Sequence, residues 1–154
     1  MNVTHMSRFD MKRMLKNDQV PEDTLIISIN DTSREAFEME DYSYLWNNIW
    51  IYPLVFKDDN ESFSEEQAES IKGVVESSPS DYKNIIVHCF AGISRSAAVA
   101  KWINTYFNLD IPLYNNYTQH NLHVYNTLCK VSGVETLKQY YEFLEVGDEE
   151  TNSK

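Results

Sequence analysis

Apolar residues gather in short β-branched runs and in longer stretches of helical period. Thr24-Leu25-Ile26-Ile27-Ser28-Ile29, entered after Pro21 and closed by Asn30-Asp31, predicts a buried strand. Asn84-Ile85-Ile86-Val87 predicts a second, and Ile49 to Phe56 a third, in which Pro53 argues for an edge position or a bulge near the strand's end because it cannot donate to a ladder. Met1 to Ser7 reads as a further short strand, and Arg8 to Lys16 as a basic helix with Phe9, Met11, Met14 and Leu15 supplying apolar contacts. Ser64-Glu65-Glu66-Gln67 has capping-box form and opens a helix whose stripe is Ala68, Ile71, Val74 and Val75, ending near Ser77-Ser78-Pro79. Ala97 to Trp102 has helix-forming composition. Pro112 breaks the chain, after which one helix carries Leu122, Tyr125, Leu128 and Val131, and another, beyond Ser132-Gly133, carries Val134, Leu137, Tyr141 and Leu144. Thr32 to Asn48 shows no clean period and reads as a long loop with some helix, dense in Tyr42, Tyr44 and Trp46, with Trp50 just beyond.

Strands alternating with helices, then helices alone, imply an α/β fold: a central, mostly parallel sheet of about four to five strands flanked by helices. At 154 residues and 42% hydrophobic the chain suits one domain. We assign it to residues 1–146, with 147–154 as a disordered acidic tail. No window approaches the roughly 18 apolar residues of a membrane span. The opening Met1-Asn2-Val3-Thr4-His5-Met6 lacks the regions of a signal peptide, so a cytoplasmic location is expected. Cys89 and Cys129 fit two thiols better than one bridge. A net charge of −11 argues against nucleic acid and anionic membrane as partners. It also makes any local cationic pocket conspicuous; oligomeric state is not legible.

One stretch joins a predicted strand to a predicted helix and carries the chemistry: His88-Cys89-Phe90-Ala91-Gly92-Ile93-Ser94-Arg95-Ser96. In a strand–loop–helix arrangement the N–H groups of Phe90, Ala91, Gly92, Ile93 and Ser94 converge with the free N–H groups of the helix on one anion, reinforced by the helix dipole. Arg95 can present two donors side by side to a phosphoryl group, a geometry lysine lacks. A thiol at a helix N-terminus beside a guanidinium loses its proton readily, which makes Cys89 a thiolate nucleophile. Gly92 sits where a tight cradle demands an unusual backbone angle or close approach. Ser96 is placed to donate to the sulfur when it leaves, and the His88 ring is expected behind the loop, fixing the cysteine's surroundings. The bland reading, a buried cysteine ending a strand and an arginine on a surface helix, leaves the joint presence of these residues at fixed offsets unexplained.

The stretch resembles the signature of the cysteine-based protein tyrosine phosphatases, a His-Cys, five residues, Arg-Ser/Thr loop, and its Ala91-to-Ser96 half is most similar to the dual-specificity branch with its small bacterial and viral members. The resemblance covers about residues 1–145 and implies a tyrosine-phosphatase-like fold. The activity it implies is hydrolysis of phosphotyrosine, with phosphoserine or phosphothreonine as further candidates, in phosphorylated protein substrates. The reaction would pass through a cysteinyl-phosphate intermediate, with no cofactor and no metal. It also implies a general acid on a loop about thirty residues before the cysteine. The offsets 89 − 58 = 31 and 89 − 59 = 30 admit both Asp58 and Asp59. Asp58 is preferred because Phe56-Lys57-Asp58 follows the strand directly, as in small bacterial relatives; Asp59 is the alternative.

Two other readings of the loop stand beside this one: a catalytically inactive module that captures phosphopeptides, and a phosphatase acting on a non-protein phosphate ester. Gln119 and Asn121 lie where relatives place a polar residue that positions water, but no motif is specific enough to carry that role over. His120 and His123, with His5, have no thiol or carboxylate company and read as an exposed helix face rather than a metal site. Tyr42, Tyr44, Trp46 and Trp50 read as core, with a wall for a phosphotyrosine ring as the alternative, and Cys129 as a buried hydrophobe.

Overall fold

A computed structural model of the chain describes residues 1–42, 48–77 and 82–134. Tyr44 and Trp46, the end of the predicted helix at Ser78-Pro79, the helix expected around Leu137, Tyr141 and Leu144, and the acidic tail lie outside these residues. Within them the order is β1 (Asn2–Ser7), α1 (Arg8–Lys16), β2 (Thr24–Asn30), α2 (Ser33–Glu40), β3 (Ile49–Val55), α3 (Glu65–Ser77), β4 (Asn84–Cys89), α4 (Arg95–Tyr106), α5 (Pro112–Asn115) and α6 (Leu122–Ser132). The strands form a four-stranded sheet in the order β1-β4-β2-β3, and every pairing is parallel.

The continuous apolar runs occupy the two central strands, where both faces are covered and alternation has no use. All seven residues of β2 are buried. Leu25, Ile27 and Ile29 of β2, with Ile85, Val87 and Cys89 of β4, face one core together with Ala68, Ile71 and Val75 of α3, Trp102 and Ile103 of α4, and Leu128 of α6. The intervening Ile26 and Ile86 face a second, smaller core with Met11 and Leu15 of α1 and Met39 of α2. Pro53 lies in β3, an edge strand, as its missing donor requires. The capping box forms: Ser64 Oγ accepts from the Gln67 N–H at 3.1 Å, and Gln67 Oε1 accepts from the Ser64 N–H at 3.2 Å. Ala68, Ile71 and Val75 of the predicted stripe are buried.

Two expectations, on Phe9 and on His120, are corrected, and two others gain detail. Phe9 does not pack inward; it is 72% exposed, with the Arg13 guanidinium 5.8 Å from its ring centre, because it occupies the outer face of α1 while Met11 and Leu15 occupy the inner one. The stretch after Asp31 holds a helix, α2, N-capped by Thr32, which buries only Ala36 and Met39 and turns Phe37 outward, so its apolar pattern is too thin to read as periodic. Pro112 opens the one-turn helix α5, at the helix start where its missing N–H costs nothing. His120 lies before α6 rather than on an exposed helix face, and it is buried.

In register, Ser7 and Cys89 are partners, as are Ser28 and His88, and Asn30 and Val55. The carboxyl ends of all four strands therefore align along one edge of the sheet, the edge at which open α/β sheets present their ligand sites.

Candidate active site

Cys89 is the last residue of β4, and Arg95 the first of α4, so the loop between them is pinned at both ends by buried elements. Cys89 Sγ accepts a hydrogen bond from the Gly92 N–H at 3.2 Å and lies 3.1 Å from Ser96 Oγ. Gly92 has φ +80°, and a Cβ built there would fall 2.4 Å from both the Met6 carbonyl carbon and the Ser7 nitrogen. Both properties demand glycine: the loop folds directly onto the end of β1.

Behind the loop, on the opposite face of β4, His88 is buried, and its Nε2 meets Ser28 Oγ at 2.6 Å. Asn30 Nδ2 donates to the same Ser28 Oγ at 3.0 Å. Burial depresses the His88 pKa to about 4, so the ring is neutral at pH 7.

Arg95 is buried, with its guanidinium oriented from one side. Nη1 donates to the Phe56 carbonyl at 2.8 Å and to Asp31 Oδ1 at 2.7 Å. Nε has no hydrogen-bond partner among the described residues. With Nη1 engaged, the Nε–Nη2 edge is the one that could meet an oxyanion with two parallel donors. Asp31, one residue beyond β2, supplies the countercharge. Nothing in the sequence assigned it, because the pairing spans 64 positions and no local pattern announces it.

The two aspartates that share the right offset have different surroundings. Asp58 Oδ1 accepts from Ser94 Oγ, within the loop, at 2.8 Å, and from Asn121 Nδ2 at 2.8 Å. Asp59 turns back into its own loop, accepting from the Glu61 N–H at 3.0 Å, the Ser62 N–H at 2.7 Å and the Ser62 hydroxyl at 2.5 Å. Those donors, the Ser62 hydroxyl foremost, hold its carboxyl down to a pKa of about 2. Asp59 is thus a fully engaged turn residue, and Asp58 is the carboxylate brought to the loop. Asn121 completes the junction: its Oδ1 caps α6 through the Val124 N–H, and its Nδ2 reaches both Asp58 and the Asp59 carbonyl.

The remaining candidates divide. His5 is on β1 and meets the Gly92 carbonyl at 2.6 Å; His123 Nε2, on α6, meets the Phe63 carbonyl at 2.9 Å. His120 lies edge-on to Tyr125, its ring nitrogens unpaired among the described residues, and burial lowers its pKa. Trp50 is half-exposed on β3 and packs on Tyr82; it shares its register level with Leu25 and Ile85, four residues before Cys89 in β4 and roughly 13 Å down the sheet from the loop, so it walls no cleft there. Cys129 is buried, with burial raising its pKa to about 11, as an inert thiol requires. No described helix is long and apolar enough to cross a membrane.

This architecture, a parallel sheet whose central strand delivers a cysteine into a loop capped by a helix, is the fold of the cysteine-based tyrosine phosphatases in their dual-specificity-like form. The Cydia pomonella PTP-2 phosphatase superposes with a TM-score of 0.58 at 16% identity, over 83% of this chain and 84% of its own. OH1 from the Orf virus, a tyrosine phosphatase with triple substrate specificity, superposes at 0.55 and 16% identity, over 84% of this chain and 82% of its own. DUSP15 superposes at 0.56 and 14% identity, over 94% of this chain and 91% of its own. No protein-family model and no curated protein sequence matches the chain.

Proposed function

We propose that this chain is a member of that phosphatase family and hydrolyses phosphate monoesters on proteins, phosphotyrosine foremost and phosphoserine or phosphothreonine within the same class. The observation that carries the reading is the hydrogen bond from Ser94 to Asp58, which ties a carboxylate to the same loop that holds Cys89 and Arg95. A nucleophile, a fork for phosphoryl oxygens and a proton donor then share one site, as in-line phosphoryl transfer requires.

In the first step Cys89 Sγ, as thiolate, attacks phosphorus; the S–P bond forms, the P–O ester bond breaks, and the departing oxygen takes the proton held by the Asp58 carboxyl. The N–H groups of the loop and the Arg95 Nε–Nη2 edge carry the charge on the equatorial oxygens. In the second step the Asp58 carboxylate takes a proton from water, the hydroxyl attacks phosphorus, and the S–P bond breaks to return the thiolate, with Ser96 donating to the sulfur. Asn121 and Ser94 keep Asp58 facing the loop in both steps.

The test is steady-state hydrolysis of phosphotyrosyl and phosphoseryl peptides and a soluble inositol phosphate by wild type, Cys89→Ser and Arg95→Lys. Turnover of peptide by wild type, abolished by Cys89→Ser and reduced at least a hundredfold by Arg95→Lys, supports the reading. Equal rates in all three, or saturable peptide binding without turnover, overturn it. Preference for the inositol phosphate reassigns the substrate.

A further inference from the structure

The loop's own carbonyls carry a second layer of information. Phe90 O accepts from the Arg8 N–H at 3.2 Å, and Ser94 O from the Asn121 N–H at 3.1 Å. Gly92 O meets His5 Nδ1 at 2.6 Å, and Ile93 O accepts from the Tyr117 hydroxyl at 2.7 Å. These four partners come from β1, the start of α1, the segment after α5 and the residue before α6, and together they surround the loop from outside. A trans peptide is planar, with its C=O and N–H pointing in opposite directions. Every carbonyl drawn outward therefore turns the next residue's N–H inward: those of Ala91, Ile93, Ser94 and Arg95. Among the described residues none of these four N–H groups donates to another backbone group outside the helices.

Two of the four outer bonds are made by backbone N–H groups that the fold supplies for any sequence. The other two are made by side chains, so they depend on residue identity. We infer that His5 and Tyr117 are positioning residues that aim the Ile93 and Ser94 N–H groups at the phosphoryl oxygens; this rests on the phosphatase reading for its substrate, but not for its oxyanion. His5 is held for the task, its ring 5.7 Å from Tyr114 and 5.6 Å from Tyr117, centre to centre. Its Nδ1 must carry the proton, since a carbonyl only accepts. Both residues act on the loop's outer side, through its carbonyls.

The experiment measures tungstate affinity by calorimetry, and kcat/KM on an aryl phosphate, for wild type, His5→Ala, His5→Asn and Tyr117→Phe. Freeing one peptide to rotate weakens one anion contact, so His5→Ala and Tyr117→Phe are each expected to lose roughly tenfold in tungstate affinity and in kcat/KM. His5→Asn, whose amide N–H2 can stand near the position of Nδ1, is expected to recover most of the affinity. A purely structural role would lower the melting temperature of all three variants and leave tungstate affinity within twofold of wild type, which would overturn the inference. The two readings separate cleanly. Wild type that binds tungstate with this variant pattern but hydrolyses nothing refutes the phosphatase and upholds the positioning; wild type that binds no tungstate refutes both.

Discussion

At Gly92 the backbone takes φ +80°, and the space a Cβ would fill is already occupied by the backbone of Met6 and Ser7. Strain and clash act together, and neither neighbour can yield as a flexible side chain would. Gly92→Ala is expected to destabilise the fold by about 1–3 kcal/mol, read as a shift in the urea midpoint, and to reduce kcat/KM at least a hundredfold because the cradle lifts off β1. Unchanged activity would contradict the close approach. Gly92 was legible in the sequence as part of a motif, since the residue type announces its own conformational need. Asp31 and His5 were not, because their roles arise only when strands far apart in sequence deliver their ends to one edge of the sheet. Between Asp58 and Asp59 the sequence offered only a preference for Asp58, from its place directly after the strand: both satisfy the offset, and the structure distinguishes them by which neighbours donate to each.

Among the elements, α6 has two functions at its first turn. Asn121 caps it through the Val124 N–H and with the same side chain holds the Asp58 loop. Asn121→Ala should therefore lose about 1 kcal/mol of stability from the missing cap, and in addition lower kcat on an aryl phosphate roughly tenfold with little change in KM, since in the proposed reaction Asp58 acts on the leaving group and not on binding. Asn121→Asp separates the effects: it retains a cap but sets a second carboxylate against Asp58, so stability should recover and kcat should not. A variant set in which kcat tracks stability alone would contradict the dual role. The central strands and α3 were readable in advance because their signals are local, a β-branched run in one case and a capping box in the other. Helix α2 was not. It buries two of its eight residues, too few to fix a period.

For the whole molecule, the buried imidazole at the back of the sheet couples stability to pH. His88 stays neutral in the folded chain down to about pH 4, whereas in the unfolded chain it protonates near its ordinary 6.5. Between those values the unfolded state binds more protons, so stability rises with pH and is lost as pH falls through the window, by about 3 kcal/mol in all at 1.36 kcal/mol per unit. Burial lowers the His120 pKa too, which adds to the slope with the same sign. Asp59, with its pKa near 2, contributes stability that is lost only below about pH 4, outside this window. Urea unfolding from pH 4.5 to 7.5 should show a steep slope in wild type and a shallower one in His88→Gln; equal slopes would contradict a neutral buried His88. The proposed cycle draws on the molecule as a whole, because β4, α4 and the β3–α3 loop would each deliver one part, and an acid quench tests for its intermediate. Wild type and Asp58→Asn are mixed with a 32P-labelled phosphotyrosyl peptide, quenched in acid within milliseconds, and the labelled residue is identified by mass spectrometry. Label on Cys89 is expected in wild type, formed more slowly in Asp58→Asn, which loses both the acid of the first step and the base of the second, and absent from Cys89→Ser. Product formed with no label on protein, or label on any other residue, would contradict a cysteinyl-phosphate at the heart of this site.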